Sequence, residues 1–235
     1  MRLQVFLSNS GICSRRAAFD LIRSGEVEVN HNLVTEPSFP IDPDKDEVRV
    51  KNKKISLKKK DYLLLNKPKG VVTTRKDRFA KHTVYDYLPK DLHHLFSVGR
   101  LDQDSEGLLI FTNDGELSFR LMHPRFLVDK EYEVIINKPL KDNDKLSLEQ
   151  GIIIDSQRTS PAKIINTKAD KRYLKIIIHE GKKRQIRRMF LKLGYLVVLL
   201  RRIAYGPLKL GNLGVAKFRR LEASELGMLF KCVGL

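Results

Sequence analysis

Cysteine is almost missing from this 235-residue sequence: Cys13 and Cys232 stand near opposite ends. Two such residues cannot build a disulfide framework or, alone, a metal site. The histidines at 31, 82, 93, 94, 123 and 179 show no ligand spacing with cysteine or with one another. On a strand, the adjacent His93 and His94 would point to opposite faces. A structural or catalytic metal is not expected. Long apolar runs are missing as well. Leu196-Val197-Val198-Leu199-Leu200 is typical of what is present, far short of the roughly 20 residues a membrane-spanning helix needs. The first residues lack the apolar core and small-residue cleavage site of a secretory signal, so a cytoplasmic protein, off the membrane and monomeric, is expected. Acids are scarce: 28 Asp and Glu face 45 Lys and Arg, a formal net charge of +17. That surplus exceeds what solubility requires and points to a polyanionic partner. No basic amphipathic helix with exposed aromatics favours a lipid surface, which leaves nucleic acid.

With 42% hydrophobic residues the chain can bury a sizeable core and divide into a small and a larger domain. In residues 1–50, Leu3, Phe6 and Leu7 recur at helical spacing, and Ser10-Gly11 closes that helix. Ser14 is an N-cap for a second helix carrying Ala17, Ala18, Leu21 and Ile22, which ends at Ser24-Gly25. Arg16 and Arg23 lie two helical turns apart, with Arg15 alongside. Strands follow at residues 27–30, 33–34 and 47–50, with a turn expected at His31-Asn32. This order of elements, with arginines gathered on the second helix, resembles the S4 RNA-binding domain. The resemblance rests on Arg2-Leu3, Leu7-Ser8, Gly11, Ser14-Arg15-Arg16-Ala17-Ala18, Leu21-Ile22, Gly25, Val27, Val29-Asn30 and Val34. It implies that Arg15, Arg16 and Arg23 contact RNA. Where that family usually has a turn glycine, this chain has His31 and Asn32, of which Asn32 tolerates the left-handed conformation. Residues 51–60, rich in lysine, read as a strand end and a basic linker able to touch phosphate.

Residues 61–235 read as one larger domain. Strands are expected at 62–65, 71–74, 108–112, 130–136, 152–154, 163–165, 173–179 and 196–200. Short helices are expected at 83–88, 116–122 and 184–193, the last closed by Gly194. Many strands, scattered short helices and no strict alternation argue for an α+β fold with a mainly antiparallel sheet.

The chemistry centres on Gly99-Arg100-Leu101-Asp102-Gln103-Asp104-Ser105-Glu106-Gly107, which runs into an apolar strand and an Asn113-Asp114-Gly115 turn. Three acids within five residues are conspicuous in so basic a chain. Acids at positions one, three and five with glycine at six mimic the start of a calcium loop. The twelfth position, where a bidentate Glu is required, is Asn113, and the flanks are strand-like. A hydrolase with paired carboxylates Asp102 and Asp104 is a second reading, and simple charge balance a third.

The whole loop, with Leu108-Leu109 and Thr112-Asn113-Asp114-Gly115, resembles the signature of ribosomal RNA pseudouridine synthases of the small- and large-subunit type. The resemblance extends to Lys67-Pro68-Lys69-Gly70, to the strand Lys130-Glu131-Tyr132-Glu133-Val134, and to the segment from Glu180 to Phe190. Departures are Ser97, where the family often has proline, and Arg184, where it often has histidine. The resemblance implies isomerisation of uridine in ribosomal RNA or a pre-ribosomal particle, without cofactor. Asp102 is the implied catalytic carboxylate, acting on the sugar or the ring. Tyr132 lies under the extruded base, and Leu200 is the apolar wall near the sugar. Arg187 pairs with Asp102, worth roughly 4 kcal/mol at about 4 Å and an effective dielectric of about 20. Lys182, Lys183, Arg184 and Arg188, together with Arg100 and Arg201, form the expected phosphate-binding set. The context of residues 199–206 favours 23S over 16S rRNA. The alternative is a non-catalytic S4-type RNA-binding or ribosome-assembly factor.

Overall fold

The computed structural model describes residues 1–235 as two compact units. The first comprises Met1–Asp61 with the short segments His94–Phe96 and Asn113–Gly115; the second holds the remaining residues. No helix is long and apolar enough to cross a membrane.

In the first unit, α1 (Leu3–Asn9) and α2 (Arg15–Arg23) precede β1 (Val27–Val29), β2 (Asn32–Leu33), β3 (Val48–Val50) and β4 (Lys53–Ile55). The Ser14 hydroxyl accepts the amide of Ala17 at 3.2 Å, so the expected N-cap is formed. The sheet order is β2-β1-β3-β4, and its core gathers Leu3, Phe6, Leu7, Ile22, Val27 and Val48. Two expectations change here. The turn falls one residue early: Val29 pairs with Asn32, and Asn30 and His31 take positive φ of 51° and 64°. A two-residue hairpin needs both central residues in that region, and the Asn30 side chain is tied to Asp46 and to the amide of Glu47. The stretch 51–60 is not wholly linker, because Lys51 and Asn52 make a second such turn and return β4 against β3.

In the second unit, β5 (Tyr62–Lys67), β6 (Phe96–Ser97), β7 (Glu106–Thr112), α3 (Gly115–Met122), β8 (Lys130–Ile136) and α4 (Asp142–Gln150) follow in order. Then come β9 (Ile153–Ile154), β10 (Gln157–Arg158), β11 (Lys163–Asn166), β12 (Tyr173–Ile178) and α5 (Gln185–Lys192). The chain ends with β13 (Val197–Tyr205), β14 (Leu208–Lys209), β15 (Phe218–Arg220) and α6 (Ala223–Cys232). The main sheet runs β11-β12-β8-β13-β7-β5-β15, antiparallel except where β13 meets the start of β7. The fold is therefore α+β as expected.

Burial separates the strands. Beyond their first residues, β5 and β7 are buried on both faces, so they read as continuous apolar runs. Strand β8 alternates buried and half-buried positions, which puts Lys130, Tyr132, Val134 and Ile136 on one inward face. One side of the sheet is sealed by α3 and α6 through Leu117, Leu121, Leu229 and Val233. Residues 71–74 do not form the expected strand. Only Val72 bridges, to Thr83, while the Thr73 hydroxyl bonds to the backbone of Leu101. Helices α4 and α6 lack a strong apolar stripe and were not expected.

Candidate active site

The acidic loop hangs between Gly99 and Gly107, both at positive φ (73° and 104°). At Gly107 a side chain is excluded: a Cβ would lie 2.3 Å from the carbonyl oxygen of Arg202, its partner in the parallel register. Glycine thus lets β13 approach the loop's exit closely.

Lys67 holds the loop from beneath. This last residue of β5 is fully buried, and its ammonium donates to the carbonyl oxygens of Pro68 (3.1 Å), Asp102 (3.1 Å) and Ser105 (2.7 Å). Burial lowers its pKa to about 8, against the attraction of Asp102 and Asp104. Thr73 pins the other flank, its hydroxyl donating to the Leu101 carbonyl at 2.8 Å and accepting the Leu101 amide at 3.2 Å. The Ser105 amide closes a turn onto the Asp102 carbonyl at 3.0 Å.

That turn separates the two aspartates. Asp102 lines a cavity of about 510 Å³, within the roughly 300–1,000 Å³ typical of small-molecule sites. Asp104 opens instead on a second hollow beside Lys69, Gly70 and Gln103. The paired-carboxylate hydrolase has no geometric support. Asp102 is the sole carboxylate lining the first cavity, among the cations Arg100, Lys130, Lys182, Lys183, Arg184 and Arg202, and it makes no ion pair.

Tyr132 and Leu200 both line this cavity, Tyr132 from β8 and Leu200 from β13. Beside Tyr132 lies a layer of buried cations. Lys130 donates to the carbonyls of Val128 (3.0 Å) and His179 (2.8 Å) and sits 5.0 Å from the ring centre of Tyr205. Burial, reinforced by Arg202, lowers its pKa to about 8. Arg202 donates to the Leu108 carbonyl at 2.7 Å, its guanidinium 5.0 Å from the Tyr205 ring centre and 6.0 Å from that of Tyr132. The Tyr205 hydroxyl donates to the Leu121 carbonyl at 2.8 Å, and burial pushes its pKa up. Lys67 and Lys130 entered the sequence reading only as carriers of the family resemblance, and neither they nor Arg202 were assigned to the site. The available signal was charge inside otherwise apolar strands, where a buried lysine or arginine must find carbonyls or rings.

Arg187 does not pair with Asp102. It braces Asp104, with Nε 3.1 Å from Oδ2 and Nη2 donating to the Asp104 carbonyl at 2.8 Å, while Nη1 donates to Val197 at 2.9 Å. Arg184 grips the same carboxylate with two bonds of 3.0 Å. Burial would raise the Asp104 pKa, but the Arg184 hydrogen bonds and both arginine charges outweigh it and hold the group below its ordinary 3.8.

The expected phosphate-binding set is correspondingly divided. Arg188 is paired with Asp155, Lys182 lies 3.6 Å from Glu180, and Arg201 binds Glu106 at 2.6 Å and faces Glu133 at 3.7 Å. Helix α5 starts only at Gln185, with Arg184 in the left-handed region at φ 51°. Arg100 and Lys183 are exposed at the cavity without an ion pair. In the first unit, Arg15, Arg16 and Arg23 are exposed along α2. No group of three or more His, Cys, Asp or Glu side chains is gathered as metal ligands would be.

Comparison with known proteins gives a consistent picture. Residues 61–192 match the family model described as RNA pseudouridylate synthase, and residues 1–48 match the S4 domain. An uncharacterized RNA pseudouridine synthase of Aquifex aeolicus (strain VF5) is 37% identical over 100% of this chain and 96% of its own length. The ribosomal large subunit pseudouridine synthase B of Bacillus subtilis (strain 168) is 36% identical over 97% of this chain and 95% of its own. A crystal structure of a pseudouridylate synthase superposes with a TM-score of 0.71 at 31% identity, covering 97% of this chain and 99% of that one.

Proposed function

The chain belongs to the RNA pseudouridylate synthase family, and from that premise we propose that it isomerises a specific uridine of ribosomal RNA, 23S in preference to 16S, with Asp102 as the catalytic carboxylate. The observation that carries this reading is the solitude of Asp102: one unpaired carboxylate in a cavity whose other lining residues are cationic, neutral polar or apolar. The name of the Bacillus subtilis relative supports the large-subunit target. The protein works in the cytoplasm as a monomer, gripping RNA through its S4 domain with Arg15, Arg16 and Arg23.

The target uridine leaves the stack and enters the cavity, at a cost of a few kcal/mol. Arg100 and Lys183 meet its phosphates, Tyr132 lies against the uracil ring, and Leu200 walls the sugar. Asp102 acts at the ribose as the bond between N1 and C1′ breaks. The uracil rotates, C5 bonds to C1′, the C5 proton leaves and N1 takes one up, so the product is an isomer and no redox partner is needed. In this reading the Tyr132 phenol takes part in removing the C5 proton. Arg184 and Arg187 act at one remove, by fixing the loop through Asp104.

The test is tritium release from 23S and 16S rRNA transcripts labelled at uridine C5, with Asp102→Asn as control. Release from 23S transcript that the substitution abolishes, with RNA binding intact, is the expected result. No release from any transcript or ribosomal particle would overturn the synthase assignment in favour of a binding factor. Release from 16S alone would overturn the large-subunit target.

A further inference from the structure

Residues 74–82 leave the cavity wall at Thr73 and return to Thr83, which bridges to Val72, carrying side chains that the site described above does not use. Both feet of the loop are tied down. Thr73 exchanges hydrogen bonds with Leu101, the residue before Asp102, and Val72 bridges to Thr83. Arg75 adds a third tie, donating to the His93 carbonyl at 2.6 Å with its guanidinium 5.1 Å from the Tyr85 ring centre. The tip is ordered from within: Asp77 accepts the amides of Phe79 at 2.8 Å and Ala80 at 3.1 Å.

This folded tip presents Phe79 to solvent. The ring is 97% exposed, whereas no other large apolar side chain exceeds 63%. Arg75, Lys76, Arg78 and Lys81 flank it in sequence, and the one acid among them, Asp77, has its carboxylate turned to the main chain. A protein partner is a poor fit, because interface cores are depleted in lysine. An aromatic ring between cations suits single-stranded nucleic acid, where bases stack on the ring and phosphates meet the cations. Reach also agrees. Three residues lie between Phe79 and Thr83, which keeps the Phe79 Cα within roughly 14 Å of that anchor, and Thr83 bridges to Val72, next to Thr73 on the cavity wall.

We propose that Phe79 is a stacking finger that packs on an unpaired RNA base flanking the uridine drawn into the cavity, with Arg78 and Lys81 on the adjoining phosphates. The proposal rests on the RNA substrate argued under Proposed function. It adds a contact outside the cavity that would hold the substrate strand open while the target base is out of the stack.

The experiment compares the full chain with Phe79→Ala, Phe79→Trp and Phe79→Leu on the 23S rRNA transcript, measuring retention on filters and C5 tritium release in parallel. An exposed ring supports no core, so all variants should melt with the parent. Expected are affinity roughly 5- to 150-fold weaker in Phe79→Ala, the usual range for one stacked base, and near-parent affinity in Phe79→Trp, with Phe79→Leu falling short. Phe79→Ala binding as tightly as the parent would overturn the proposal, and so would full rescue by leucine, which has bulk but no ring. A parent that binds this transcript without releasing tritium would sink the 23S target alone, and the synthase reading with it only if no other transcript or ribosomal particle releases label. The affinity series would still decide the finger.

Discussion

Arg187 is bound to Asp104 and not to Asp102, through an Nε–Oδ2 approach of 3.1 Å and a 2.8 Å hydrogen bond to the Asp104 carbonyl. The cation assigned from the motif to the reactive carboxylate is therefore a brace on its neighbour. Asp104→Asn should weaken both arginine contacts and let the Asp102 main chain drift. We expect tritium release to fall about 10- to 100-fold, as small misplacements of a reacting group do, with little change in RNA affinity. The stability cost should be about 1 kcal/mol, because the pair is partly solvated. Asp104 has a depressed pKa, so its contribution is complete above its ordinary 3.8 and disappears as the pH falls through the lowered value. Urea titrations at neutral and acid pH read both effects.

Lys67→Met should be worse than its size suggests. Methionine fills much of the volume but leaves the carbonyls of Pro68, Asp102 and Ser105 without their buried donor. The Asp102 oxygen keeps the Ser105 amide, but the other two carbonyls, once orphaned, cost about 1–3 kcal/mol each unless the loop opens to water. We expect the loop to open, with activity down about 100-fold and RNA retention preserved. Single-turnover tritium release separates the two.

The buried lysines predict opposite pH trends for stability and activity. On folding, the pKa values of Lys67 and Lys130 fall from 10.5 to about 8. Between those values the unfolded chain binds more protons, so their share of stability rises with pH across that window and is flat below it. A deprotonated Lys67 has two N–H bonds for three carbonyls, so activity should decline above about pH 8. Urea midpoints and tritium release measured across that window test this, and the stability slope should flatten in Lys67→Met.

Gly107→Ala tests the close approach of β7 and β13. The added methyl would meet the Arg202 carbonyl oxygen at 2.3 Å, at a φ of 104° that alanine avoids. We expect a loss of about 3 kcal/mol or more, or no folded protein, read from the urea midpoint. Gly115→Ala, with nothing within 4 Å and no positive φ, is the matched control and should be tolerated.

Replacing Arg15, Arg16 and Arg23 together by alanine should weaken RNA binding and flatten its salt dependence. Each phosphate contact contributes about 0.7–0.9 to the slope of log K against log salt, so losing all three would remove about 2–3. Because all three are exposed, the melting temperature should not move. An unchanged slope would show that α2 does not face the RNA.

Much of this protein was legible before any coordinates. Short-range physics sufficed for the capped α2, the alternating β8, the doubly buried β7 and the α+β class, because periodicity and turn chemistry act within a few residues. The motif around Asp102 was equally local. Where spacing was ambiguous the reading slipped: the hairpin turn moved to Asn30-His31, residues 53–55 joined a sheet, and 71–74 did not.

What the sequence alone determined is which residues are available: one acidic loop in a basic chain, an S4-like start and a tyrosine at alternating spacing. Only the tertiary structure decided how those charges pair. Lys67 reaches the loop from 35 residues away, and Arg184 and Arg187 reach Asp104 from about eighty, so no local pattern records the choice. The physical reason is that a buried or half-buried charge must be satisfied by whatever the fold brings within about 3 Å. Here the fold brought those cations to Asp104 and to the loop's carbonyls, and left Asp102 unpaired at the cavity wall.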